Sequence, residues 1–152
     1  MFHIFTQRNT MKTSFMQFAI AIVGLLIFSD TIHAAGPDKA ALMKRGQVVY
    51  TEYCKTCHQA NGQGLSTVYP PLAGSDYVKT KGAKVVTDNV VNGLKGPITV
   101  NGKKFNNVMT ALPAKYTNAD AAAVITFVLN SWGNNGGIVF EADVKKVRKA
   151  SK

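Results

Sequence analysis

Cysteine is scarce in this sequence: there are two in 152 residues, which excludes a miniprotein stapled by disulfides. Acidic residues are few as well, eight Asp and Glu against eighteen Lys and Arg, so the formal charge is +10. No apolar run reaches the roughly 20 residues that a bilayer-spanning helix needs. The longest, Phe18 to Phe28, has eleven. At 152 residues the chain holds one domain plus extras, not a large two-domain enzyme. With 46% hydrophobic and 17% charged residues it has the composition of a folded globule, not of a disordered chain.

The apolar run has an address rather than a structural role. Lys12 precedes it, and Ser29 to Ala35 follows it as a short polar stretch ending in small residues. That is the three-part plan of an export signal. Residues 1–34 are read as a signal peptide cut after Ala34, with an uncleaved N-terminal anchor as the alternative. Met11 is an alternative start, since residues 1–10 add nothing a signal needs. Export implies an oxidising compartment, here the periplasm. Cleavage removes Arg8, Lys12 and Asp30, so the charge falls from +10 to +9. It also removes His3 and His33 and leaves His58 as the only histidine.

Both cysteines lie in Cys54-Lys55-Thr56-Cys57-His58, a C-x-x-C-H. This is the attachment signature of c-type haem. Thiols at i and i+3 fall on one side of a helical turn and can bond to the two vinyl groups of one haem c. The adjacent His58 is then placed over the iron as an axial ligand. Three other readings of the pair are weaker. A thioredoxin-like redox pair needs a βαβ surround that is missing, a structural zinc needs four N or S ligands, and a plain disulfide leaves His58 unexplained. For the second axial position Met109 stands out. It follows Asn106 and Asn107 and precedes Pro113, an odd place for a core-filling methionine. Met43 lies on the opening helix and is read as core. Downstream of the motif, Tyr69 to Gly74 contains Pro70 and Pro71. Proline offers a carbonyl without donating an N–H. Pro70 or Pro71 could therefore orient the second ring nitrogen of His58, while Leu72 packs on the ring. The competing view of this stretch is an ordinary loop.

The rest of the chain reads as mostly helical. Leu42, Gly46, Val49, Tyr50 and Tyr53 share one face of a helix over 38–53, with Asp38 as its cap. Gly46 suggests close approach by another helix. Asn61 to Gly64 is a turn. Residues 83–92 form a short valine-rich helix, or a strand. Asn101-Gly102 between apolar positions signals a hairpin leading into the Met109 loop. Thr117 and Asp120 cap a helix over 117–132 that Gly133 stops. Residues 134–152 form a basic extension around Lys145, Lys146, Arg148 and Lys149, read either as a solvated helix face or as a docking patch.

Gly46, Tyr50, the C-x-x-C-H, Pro70-x-Leu72, Met109 and the Phe127/Trp132 helix together resemble a class I c-type cytochrome over about residues 37–133. Tyr69 to Ser75, Ile98 to Gly102, Val128 to Trp132 and Asp143 to Arg148 are similar to monohaem domains attached to copper nitrite reductases and quinoprotein alcohol dehydrogenases. One difference is that Thr110, not proline, follows Met109. The resemblance implies an all-α fold over 35–133, with three main helices around one covalent haem c and a small β-hairpin before the Met loop. It implies His58 and Met109 as axial ligands, and the Pro70 carbonyl holding the His58 ring. The implied function is single-electron transfer between redox proteins, without a substrate and without nucleic acid. The +9 charge suits partners with an acidic docking face, such as a copper nitrite reductase, a quinoprotein dehydrogenase or a terminal oxidase. A fixed haem subunit of such a complex is the alternative. An enzyme or gas sensor with Met109 displaced is a third reading, but the mature chain has no second histidine for distal acid–base work.

Overall fold

A computed structural model of the chain describes residues 36 and 38–148. The expected signal peptide, residues 1–34, lies outside the described residues. The first helix, α1 (Lys39–Val49), starts where Asp38 accepts a hydrogen bond from Ala40 N at 3.0 Å. It does not stop at Tyr53. It widens into a π-turn over Tyr50–Cys54, where the Lys55 N–H reaches back to the Tyr50 carbonyl, and continues as α2 (Lys55–His58). The motif is therefore the end of one helical rod running from Lys39 to His58. Gln59, with φ 61°, breaks it.

The next helix, α3 (Asp76–Asn92), begins seven residues before the expected Ala83. Ser75, buried, caps it by accepting from Val78 N at 3.2 Å. Gly82, with φ 69° and ψ −179°, kinks it. That kink is why a sequence pattern registers only the second half. The valine-rich stretch is helix and not strand because Val86, Val90 and Val91 then share one inward face. The hairpin forms as expected: β1 (Ile98–Val100) pairs antiparallel with β2 (Lys103–Phe105), and Ile98 faces Phe105. Asn101 (φ 49°) and Gly102 (φ 76°) supply the two left-handed residues that a tight turn of this hand requires. Asn101 and Asp76 exchange hydrogen bonds at 2.7 and 2.9 Å, tying the turn to the head of α3.

The central helix is α4 (Asn118–Asn130), opened by the Thr117–Asp120 capping box. Residues 121–126 are all buried. It ends two residues before Trp132, because Ser131 is already extended (φ −104°, ψ 160°), and Trp132 (φ 52°) and Gly133 (φ 79°) then turn left-handed. Gly46 lets α1 lie directly on α4. A Cβ there would strike the Ala123 carbonyl oxygen and come within 2.7 Å of Phe127 Cβ.

Beyond residue 133 the chain packs back onto the same core. Val139 N donates to Thr126 Oγ1 at 3.0 Å, and α5 (Glu141–Val147) buries Val144 completely against α3 and α4. Lys145 and Lys146 stay exposed on its outer face. The three expected main helices are thus four helical segments among the described residues: the 39–58 rod, α3, α4 and α5. The fourth exists because one turn of α5 closes the core that α3 and α4 leave open.

Candidate functional site

The Lys39–His58 rod, the Pro70 strap, α3, the hairpin and the Met109 loop surround one cavity of about 400 Å³. Its walls are chiefly apolar, with Val78, Val86, Val90, Ile98, Val100 and Phe105 among them. Cys54, Cys57, His58, Pro70, Leu72 and Met109 all line it. The structure therefore brings together the six residues singled out in the sequence, although they are spread over 56 positions.

His58 is buried, 8% exposed. Its Nδ1 donates to the Pro70 carbonyl at 3.1 Å, since a carbonyl can only accept. That bond leaves Nε2 as the lone-pair nitrogen. Burial lowers the His58 pKa, against the opposing pull of the Pro70 hydrogen bond, so the ring is held neutral. The strap bearing Pro70 is pinned from several sides. Leu72 N and Ala73 N donate to the Gly62 carbonyl at 2.7 and 2.9 Å, and Gly74 N donates to the Trp132 carbonyl at 2.9 Å. Asn134 Nδ2 donates to the Leu72 carbonyl at 2.8 Å. Gly64 (φ 65°) lies against this strap, and a Cβ there would come within 2.6 Å of the Pro70 carbonyl oxygen.

The two cysteines are half-buried free thiols, not a disulfide. Burial, with Cys57 adding to it, pushes the Cys54 thiol up to about 12. A thiol so raised is the opposite of the low-pKa nucleophile of a redox motif. The neighbouring Cys57 thiol raises the Tyr69 pKa. Among the described residues no group of three His, Cys, Asp or Glu side chains converges as a zinc site would require.

Met109 is half-buried, and its backbone is held on both sides: Met109 and Leu94 exchange N–H···O bonds, both 2.9 Å. Gly93 permits that approach, since a Cβ there would be 2.7 Å from the Met109 carbonyl oxygen. Asn107 Nδ2 donates to the Val68 carbonyl at 2.9 Å, and Tyr53 reaches Thr110. These supports were not singled out in the sequence. Gly93 and Asn134 act through contacts remote in the chain, and Gly64, six residues from Pro70, carried only the signal of a turn.

A neutral imidazole, a thioether and two thiols around an apolar cavity fit an iron porphyrin: a flat apolar disc with soft and borderline ligands for its metal. Comparison with known proteins agrees. The family model Cytochrome c matches residues 43–132. The chain is 36% identical over 111 residues to cytochrome c-552 of Thermus thermophilus, covering 68% of this chain and 83% of that protein. It is 32% identical over 119 residues to the cytochrome c subunit of alcohol dehydrogenase (quinone) of Gluconobacter oxydans, covering 74% of this chain and 25% of that subunit.

Proposed function

The chain belongs to the cytochrome c family, whose members carry electrons on a covalently bound haem c, and from that footing we propose that it is a periplasmic monohaem carrier with His58 and Met109 as axial ligands. Cys54 and Cys57 supply the thioether links. When bound, the haem supplies a one-electron iron couple whose potential is raised by a His/Met ligand pair. The observation that carries this reading is the convergence of Cys54, Cys57, the anchored ring of His58 and Met109 on one apolar cavity.

The chain's own contribution is rigidity and dielectric. The Pro70 carbonyl holds the His58 ring, and the Leu94 bridge holds the Met109 backbone. Neither ligand need reorganise when the charge at the site changes, and the apolar walls keep water away from it. Every lysine among the described residues is exposed. A surface so basic steers the protein toward acidic partner faces, and association weakens as salt screens it beyond about 8 Å.

A fixed haem subunit is the second reading, favoured by the likeness to a dehydrogenase subunit of which this chain spans a quarter. The test is to express the full chain with cytochrome maturation factors and purify it from the periplasmic fraction. The carrier reading expects a soluble red monomer with one added haem by intact mass. It also expects a sulfur-to-iron charge-transfer band when oxidised and slow carbon monoxide binding when reduced. A species without that band that binds carbon monoxide rapidly overturns the ligand set. Co-purification with a dehydrogenase at high salt overturns the free-carrier reading.

A further inference from the structure

Tyr53 immediately precedes the first motif cysteine and occupies the same π-turn. Its hydroxyl crosses to the ligand loop, where it lies 2.9 Å from Thr110 Oγ1 and donates to the Ala111 carbonyl at 3.2 Å. One assignment of protons satisfies both bonds: Tyr53 donates to Ala111 and accepts from the Thr110 hydroxyl. The Tyr53 ring is held by the ring of Tyr116, with centroids 6.0 Å apart. Tyr116 is itself buried and bonded through its hydroxyl to Glu52 at 3.3 Å. Tyr53 thus reaches the loop from a braced position.

The other ties on the loop run elsewhere. The Met109–Leu94 bridge and the Leu112 N bond to the Val90 carbonyl, 2.8 Å, join it to α3 and the segment just after it. Asn107 joins it to Val68. Among the described residues, the hydrogen bonds between the 39–58 rod and residues 106–112 are both made by Tyr53. The rod carries Cys54, Cys57 and His58, and the loop carries Met109. The hydrogen bonding between the two halves of the ligand set therefore runs through a single side chain.

We propose that Tyr53 is a positioning residue: with Thr110 and Ala111 it forms a latch that clamps the Met109 loop to the rod bearing the cysteines, and so holds the methionine sulfur over the cavity. This rests on the reading of Met109 as an axial ligand. If the latch opens, the loop can swing on its α3 tether and leave one face of the cavity to an outside ligand. The apparent affinity for such a ligand is its intrinsic affinity scaled by the fraction of open loop.

The probe is imidazole, titrated into oxidised holoprotein while the sulfur-to-iron band is followed. Each lost hydrogen bond should raise the open fraction about fivefold, the usual effect of one such bond. Thr110→Val removes one bond and should tighten imidazole binding about fivefold, and Tyr53→Phe removes two and should tighten it about twenty-five-fold. Thr110→Ser keeps the hydroxyl and should match the wild type. Global unfolding in guanidinium, read by Trp132 fluorescence, is measured in parallel. Variants that unfold more easily yet bind imidazole as the wild type does would overturn the latch, leaving Tyr53 a packing residue. A wild-type protein that lacks the sulfur band would overturn the underlying Met109 reading, and this is seen before any variant is made.

Discussion

Gly46→Ala sets helix propensity against packing, and the two predict opposite signs. In a helix interior Ala is favoured over Gly by about 1 kcal/mol, so an isolated α1 would be stabilised. In the folded protein the added Cβ would overlap the Ala123 carbonyl oxygen and lie 2.7 Å from both the Ala123 carbonyl carbon and Phe127 Cβ. Two of these three atoms belong to the backbone in the middle of α4, where all of residues 121–126 are buried, so neither can rotate away. Relief requires the helices to part by roughly 1 Å, a gap at which facing atoms forfeit a quarter to half of their dispersion energy. Overpacking of this kind costs about 1–3 kcal/mol and occasionally more. The contact here is backbone against backbone, which places it at the upper end.

Crediting the propensity gain, we expect a net loss of about 2 kcal/mol. For a domain of this size that lowers the melting temperature by about 10 °C. The assay is guanidinium unfolding of oxidised holoprotein, read by Trp132 fluorescence. Trp132 packs against Tyr50 at a tilt, with centroids 4.9 Å apart, so it reports on the same helix contact. Val48→Ala, at a position 53% exposed on the same helix, should be close to neutral. A Gly46→Ala protein as stable as the wild type, or more so, would refute the claim that α1 and α4 meet at backbone distance.

Further outcomes follow from the same contacts. Gly64→Ala should both strain a left-handed backbone and push the Pro70 carbonyl off His58, shifting the reduction potential as well as lowering stability by more than 1 kcal/mol; an unchanged potential would separate the glycine from the ligand. Burial works to raise the Asp120 pKa, but hydrogen bonds from Thr117 and the Arg45 guanidinium, 2.7 Å away, outweigh it and hold the carboxyl below its ordinary 3.8. Its contribution is therefore present above about pH 4 and lost as pH falls through the depressed folded value, and Asp120→Asn should flatten that part of a stability–pH curve. Association with an acidic redox partner should slow as ionic strength rises, while electron transfer within the formed complex should not; salt-independent association would remove the case for an acidic docking face.

What the sequence shows is what acts locally. The C-x-x-C-H, the Asn101-Gly102 turn, the Asp38 cap and the Thr117–Asp120 box are short-range chemistry, and each appears in the structure where it was read. Gly46 was legible as a close approach because a glycine in an otherwise good helix asks for a reason. The first half of α3 was not legible. Tyr77 to Lys81 is mostly polar and ends at Gly82, which reads as a breaker and is in fact a kink inside a longer helix. Nor was the packing of residues 134–148. A seven-residue helix with one fully buried valine, Val144, has too few turns to show a period. Tyr53 and Thr110 lie 57 positions apart, and nothing local to either announces the other.

The cavity also bears on how the chain folds. Val78, Val86, Val100, Phe105 and Val128 belong at once to the buried apolar set and to the cavity wall. The core is therefore built around the prosthetic group and is not a separate body beneath it. Left unfilled, the cleft leaves these apolar side chains facing water instead of packing partners, and each large side chain so exposed forfeits about 1.5–3 kcal/mol of burial. Over five such side chains that is a large share of the net stability of a domain, about 5–15 kcal/mol. Attachment and folding should then be one event. Cys54→Ser with Cys57→Ser, expressed in the same maturation-competent cells, should yield a chain that binds a hydrophobic dye and has lost cooperative unfolding, even though neither cysteine is in the α1–α4 contact. A cooperative, dye-silent double variant with no haem in its mass spectrum would show that the helices pack without the group. It would put the origin of the cavity in question.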